Sequence, residues 1–278
     1  MLQSKFRTLT YFRFWISTAQ REDYALDLTT YLLTSLVLFC GAFVQGVIGF
    51  GFNVMGVPFI TILAGPKMAV SLISVPSQIN CLVLVWRIRR KEKDTVPLNF
   101  GPLLPLLLMG GIGTFAGATL LVALDPSIVL TCLGVLIMLF VFTDNIRKNW
   151  RPSPKYEKQL AFVVGAVTGV LNGLAGICGP TLAPYFYTLR LDKHQFVYYL
   201  NVIFLFFGAY QWISFFALGL YTWERILLGL SFLPLSLTAI WLGERARYRV
   251  SPVFFNRLIL VVLFITALDL LRRGLHLF

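Results

Sequence analysis

Apolar residues run through this chain in blocks of about twenty, the length that crosses a lipid bilayer as one helix, with short basic clusters between the blocks. That pattern leaves little choice of solvent. A helix on a soluble domain would place a polar residue at every second or third position, and these blocks do not. Eight hydrophobic segments can be read: Thr30–Leu63, Ala69–Trp86, Phe100–Leu124, Ile128–Phe142, Leu160–Tyr187, Phe196–Leu218, Arg225–Leu242 and Phe254–Leu271. Charged residues make up 13% of the 278, about half the share of a soluble domain. The expected fold class is an all-α polytopic membrane protein.

The net charge of +12 would raise nucleic acid as a partner, but its placement argues against it. Lys and Arg cluster between the blocks, at Arg87–Lys93, Arg147–Lys158 and Arg245–Arg249. Such clusters set topology and meet anionic head groups, and no basic stripe with interleaved aromatics forms a soluble face. The partner they imply is the lipid bilayer. Cys40, Cys81, Cys132 and Cys178 are scattered one per segment without CxxC spacing, which reads as small buried hydrophobes. His194 and His276 sit near segment ends, so neither a metal site nor a cofactor is expected. Residues 1–29 mix Lys5, Arg7, Arg13 and Arg21 with aromatics and lack the apolar core of a secretory signal. They read as an interfacial basic helix.

The first and fifth segments are too long for one upright crossing, and both are punctuated by glycine: "VQGVIGFGFNVMGVPF" from Val44 and "LNGLAGICGPTLAPYF" from Leu171. In hydrocarbon an unpaired N–H or C=O costs several kcal/mol, so irregular backbone survives only inside protein or beside a wet cavity. Past a break a new half-helix begins, and its first N–H groups have no intrahelical partner. Two such N-termini meeting at the midplane offer donors and partial positive charge without a buried Lys. That is an anion site. The polar residues around it are Gln45, Asn53, Asn172 and Thr181 beside the breaks, Ser74, Ser77, Gln78 and Asn80 on the second segment, and Asn201 on the sixth. With Gly49, Gly51, Gly176 and Gly179, the residues Gln45, Asn53, Ser74, Gln78, Asn172, Thr181 and Asn201 form the expected substrate site. Interhelical hydrogen bonding is the other use of such side chains. Gly110, Gly111, Gly113 and Gly117 are expected to let helices pack closely.

The chain also resembles itself. A displacement of 126 residues sets Pro58 on Pro184, Trp86 on Trp212, Gly117 on Gly243 and Pro126 on Pro252, and 127 sets Gly46 on Gly173 and Gly49 on Gly176. The expected organisation is two homologous four-segment repeats, 30–143 and 160–278, joined by a polar basic linker at 144–159. Duplication of this kind is typical of carriers that bind substrate between repeats. If the long first segments cross fully the repeats are parallel, and if they dip and return the repeats are inverted. Either arrangement misplaces one basic cluster by the positive-inside bias, and the length and glycine content of the two segments favour hairpins. Asp125, Asp192, Glu224 and Glu244 fall at segment ends, and Asp269 lies within helical reach of Arg272 and Arg273. No central carboxylate marks a proton relay. Export of an anion down the membrane potential needs none.

"GAFVQGVIGFGFNVMGVPF", "VVGAVTGVLNGLAGICGPTLAPYF" and "LGERARYRVSPVFFNRLIL" resemble the TauE/SafE family of sulfite and organosulfonate exporters, in the superfamily of 4-toluene sulfonate uptake permeases. The resemblance spans nearly all of Thr30–Leu271. It implies an inner-membrane carrier, not an enzyme, for sulfite, sulfoacetate or a related anion, with the glycine motifs at Gly46, Gly49, Gly51 and at Gly173, Gly176, Gly179. The run of glycines usual after the first motif is replaced here by "GFGFN", with Phe50 and Phe52. The readings that compete with a sulfur-anion exporter are an anion channel, a carrier for thiosulfate or a carboxylate, and an intramembrane enzyme, for which no nucleophile–base pair is evident. Whether the carrier is a homodimer stays open.

Overall fold

The computed structural model describes residues 28–91, 103–149, 157–188, 191, 193–247 and 252–275, and within them the secondary structure is helical. The interfacial reading of residues 1–27, part of the 144–159 linker, Arg249 and His276 lie outside the described residues. The helices are α1 (Leu28–Ile48), α2 (Phe52–Ala64), α3 (Pro66–Lys91), α4 (Leu104–Ala123), α5 (Pro126–Asn149), α6 (Glu157–Ala175), α7 (Gly179–Thr188), α8 (Lys193–Ala217), α9 (Trp223–Ser231), α10 (Leu233–Ala246) and α11 (Pro252–Gly274). Five stretches among the described residues are long and apolar enough to cross a membrane: Leu28–Ile48, Pro66–Lys91, Leu104–Ala123, His194–Ala217 and Trp223–Ala246.

Burial follows a lipid solvent. Leu32, Leu36, Leu108, Ile112, Phe115 and Ile213 are exposed, while Gln45, Asn80, Asn172, Asn201 and Gln211 are buried. Apolar side chains gain nothing by leaving lipid, so packing and interhelical hydrogen bonds must hold the bundle.

Both over-long segments are split. α1 ends at Ile48 and α2 starts at Phe52, while α6 ends at Ala175 and α7 starts at Gly179. At the first break α2 turns back along α1, since a Cβ on Gly56 would meet Leu38 and one on Gly41 would meet Phe52. α2 rises only about 20 Å and runs back antiparallel to α1. α3 then runs to a face where Arg87 and Lys91 reach Glu244 at the end of α10.

The helix ends differ from the sequence-based ranges for physical reasons. Pro66 opens α3, three residues before the expected start, as an N-terminal Pro without an N–H can. Arg89, Arg90 and Lys91 are its last turn, where cations complement the helix dipole, and not a loop. The expected single segment Arg225–Leu242 is broken at Phe232, between α9 and α10. Pro234 cannot donate to the carbonyl four residues back, and the Phe232 N–H turns to the oxygens of Gly229 and Leu230.

Glycines bring several helix pairs to backbone contact, and two of these pairs match each other. A Cβ on Gly173 of α6 would lie 2.0 Å from Thr114 O of α4, and one on Gly117 would lie 2.0 Å from Val170 O. Between α1 and α10, a Cβ on Gly46 would lie 2.5 Å from Ile240 O and one on Gly243 would lie 2.2 Å from Phe43 O. Gly113 packs in the same way on Ala166 O, whereas Gly110 and Gly111 make room for the rings of Phe207 and Tyr210. Gly173→Ala must push two backbones apart, an overpacking worth about 1–3 kcal/mol. It is expected to lower the melting temperature in detergent clearly, and Gly111→Ala, which meets only a movable ring, far less. Equal melting of both variants would contradict this close crossing.

Candidate functional site: a cavity between two broken helices

The two breaks meet. A Cβ on Gly179, the first residue of α7, would lie 2.8 Å from Phe50 in the first break, and Asn53 Nδ2 donates to Gly176 O at 2.6 Å. Between them lies a cavity of about 20 Å³ lined by Gln45, Phe50, Gly51, Phe52, Asn53, Val54, Ser77, Gln78, Asn172, Gly176, Cys178, Gly179, Phe204 and Gln211. That space admits about one water molecule. None of these lining residues is Lys, Arg, His, Asp or Glu.

Local sequence explains the breaks. Gly51 has φ 145° and Gly176 has φ 65°, a region that L side chains avoid. The N-terminus of α2 has Gly51 at its cap position and no side-chain cap. Its helical bonding starts with Met55 N–H on Gly51 O, which leaves the N–H groups of Phe52, Asn53 and Val54 without an intrahelical partner. α7 is poorer in donors, because its second residue is Pro180.

Amide side chains tie the helices around the breaks to one another. Asn201 Nδ2 donates to Gly49 O at 2.9 Å and Val197 O at 2.8 Å, and its Oδ1 accepts from Gln45 Nε2 at 3.2 Å. Gln211 Nε2 donates to Asn172 O at 2.7 Å, Asn172 Nδ2 to Phe207 O at 3.0 Å and Gln78 Nε2 to Phe204 O at 3.1 Å. Without Asn201, Gly49 O in the first break would lack a partner away from water, which is costly. Interhelical hydrogen bonding, the other use the sequence left open, is therefore present at each of these amides.

Seven of the eleven expected site residues line the cavity: Gln45, Gly51, Asn53, Gln78, Asn172, Gly176 and Gly179. The remaining four take other places. Gly49 forms the first break and gives its carbonyl to Asn201, which braces that break from α8. Ser74 pairs with Tyr221 OH at 2.7 Å, and the Thr181 hydroxyl donates to Cys178 O.

The sequence profile described as sulfite exporter TauE/SafE matches residues 34–270. The chain belongs to the TauE/SafE family. Comparison with curated proteins and with solved structures gives no match. Membership makes this chain a multi-pass membrane transporter of the sulfite-exporter type and not an enzyme.

Two features of this TauE/SafE member were missed by sequence reasoning. Gln211 lies ten residues after Asn201, with Phe204 and Gly208 between them at helical spacing, so one face of α8 carries both amides. The sequence groups Arg247 with the topology-setting cations. It is only 5% exposed and donates through Nε and Nη2 to Gly46 O, at 3.1 and 2.7 Å. A cation there complements the negative end of α1. Its place one helical turn beyond Gly243, the glycine that lets α1 and α10 touch, was the available signal. Glu244, 5% exposed, takes Arg87 and Lys91 as partners at 2.5 and 2.8 Å. Asp269 pairs with Arg272 and Arg273, as its spacing predicts.

Proposed function

We propose that this protein carries a small sulfur-containing anion, of the class of sulfite or sulfoacetate, out across the cell inner membrane by alternating access. The anion sits where the two broken helices meet. Its oxygens are held by the N–H groups of Phe52, Asn53 and Val54 and by the neutral side chains of Gln45, Gln78, Asn172 and Gln211. Gly49, Thr181 and Asn201 act from behind, keeping the breaks in shape, while Ser74 ties α3 to Tyr221. The observation that carries this reading is the shared cavity, to which one break brings an uncapped helix N-terminus and the other brings Gly176, Cys178 and Gly179. A helix N-terminus stabilises negative charge without a buried cation.

The organisation that goes with it is two inverted repeats, 30–143 and 160–278, joined by the 144–159 linker and preceded by an interfacial segment at 1–29. The backbone contacts support it. Under the displacement of 126 or 127 residues, Gly46 against Ile240 and Gly243 becomes Gly173 against Thr114 and Gly117, and Phe43 becomes Val170. The return of α2 along α1 supports hairpins over full crossings. With hairpins, the faces carrying Arg87, Arg147, Lys193 and Arg245 lie inside.

A sulfite ion exceeds the present space, so loading requires Phe50, Phe52 and Phe204 to give way. That suits a carrier whose gates open in turn. In proteoliposomes, efflux of labelled sulfite should saturate with concentration and speed up when the interior is made negative, since each charge gains about 2.3 kcal/mol per 100 mV. Flux linear in concentration would point to a channel, and absence of flux for sulfite, sulfoacetate, thiosulfate and lactate alike would overturn the reading.

A further inference from the structure

Two acceptor atoms at the cavity have no donor among the described residues. Gln45 Oε1 and Asn53 Oδ1 are buried without a hydrogen-bond partner, and both side chains line the cavity. The network fixes which atom is which. Turning the Asn53 amide over would set its oxygen against Gly176 O. Asn201 is held with its NH₂ on Gly49 O and Val197 O, so its oxygen faces Gln45 and requires the Gln45 NH₂ there. The two oxygens are left over by geometry and not by assignment. Gln45 is 2% exposed, and a buried acceptor left without a donor is costly.

An anion at the α2 N-terminus suits the N–H groups with its oxygens, but offers nothing to two carbonyl oxygens unless it also carries a hydrogen. Charge argues the same way. With no cationic side chain among the lining residues, a dianion would meet only partial charges, about half a unit at a helix N-terminus. The Arg247 guanidinium is already on Gly46 O. Resting on the anion-carrier reading above, we propose that the site takes its oxyanion with a proton still attached: hydrogen sulfite, a monoanion with one donor, and not the sulfite dianion. Gln45 Oε1 receives that one hydrogen, the N–H groups of Phe52, Asn53 and Val54 hold the remaining oxygens, and Asn53 Oδ1 takes no hydrogen from the ion. Gln45 is thereby a specificity-determining residue.

Methanesulfinate is the matched probe, because a methyl group replaces the hydroxyl on the same pyramidal SO₂ unit. Binding is measured on the purified full chain in detergent by calorimetry, at one mildly acidic pH where hydrogen sulfite predominates. Fixing the pH holds the titratable groups around Gln45 constant, namely the Cys81 thiol on α3, Cys178 at the second break and Arg247 just after α10. Hydrogen sulfite is expected to bind about tenfold or more tighter than methanesulfinate, the effect of one unpaired buried acceptor, and sulfate is expected to bind more weakly still. In Gln45→Met, which keeps the length but removes the acceptor, that preference should shrink to about twofold. Methanesulfinate or sulfate binding as tightly as hydrogen sulfite to the wild-type chain would overturn the inference while leaving the anion site standing. The wild-type comparison decides this even if Gln45→Met fails to fold. Failure of every anion to bind would remove the anion site itself, and this inference with it.

Discussion

Gly51→Val is expected to abolish transport. Two penalties coincide at this position. The backbone sits at φ 145°, where a β-branched residue is strained by about 1–3 kcal/mol. A Cβ would also lie 2.5 Å from Val44 Cγ1 and 2.8 Å from Val44 Cβ, an overpacking worth about 1–3 kcal/mol more. Relief of either requires the α1–α2 turn to open, which moves the N–H groups of Phe52, Asn53 and Val54 away from the cavity. Gly65→Ala is the matched control. It too has a positive φ, of 79°, but nothing lies within 4 Å of its Cβ. It should retain transport with a small loss in melting temperature. Comparable flux for Gly51→Val and wild type would show that the first break does not shape the site.

Asn53→Leu should have the second-largest effect, a loss of anion affinity of about tenfold or more, from one unmade buried hydrogen bond and its orphaned carbonyl. Among the described residues, the bond from Asn53 Nδ2 to Gly176 O joins the two breaks directly. Leu keeps similar bulk but leaves Gly176 O unpaired far from bulk water, where such a group is costly. Gly176 itself is held in its turn by a bond from its N–H to Asn172 O at 2.7 Å, and Gln211 shares that acceptor. Displacing Gly176 therefore disturbs three site residues together. Asn53→Ser, which keeps a donor on a shorter stem, should recover part of the affinity. The check is calorimetric titration of both variants with hydrogen sulfite. Wild-type affinity in Asn53→Leu would mean that the breaks are held together by packing alone, with Phe50 seated on Gly179.

The membrane fold and both breaks were legible in the sequence because each follows from a local rule. Apolar runs can be counted, and glycine inside a spanning helix announces irregular backbone. The amides at Gln45, Asn53, Gln78 and Asn172 were legible for a similar reason, since an amide in an apolar run must find a partner. What the sequence could not show is which partner. Asn201 and Asn172 look alike on paper, yet one braces Gly49 O from behind and the other lines the cavity. Arg247 was hidden because charge near a segment end is normally solvated or lipid-facing. Only the close approach of α1 and α10 at Gly46 and Gly243 turns it inward. Gln211 is legible only through its helical spacing from Asn201. The break at Phe232 is announced only by Pro234, and because Pro58 and Pro76 sit within continuous helices, a proline alone does not predict an interruption in a spanning segment.

The central claim is that negative charge is held between the two broken helices, at the N-terminus of α2. Crystals of the protein grown with selenite, a heavier analogue of sulfite, test it most directly through anomalous scattering from selenium. The expected result is one strong peak within hydrogen-bonding reach of the Phe52, Asn53 and Val54 N–H groups and the Gln45 side chain, with Phe50 moved aside. A peak found instead only against the basic cluster at Arg87, Lys91 and Arg247, with the cavity between Gly51 and Gly179 still closed, would contradict it.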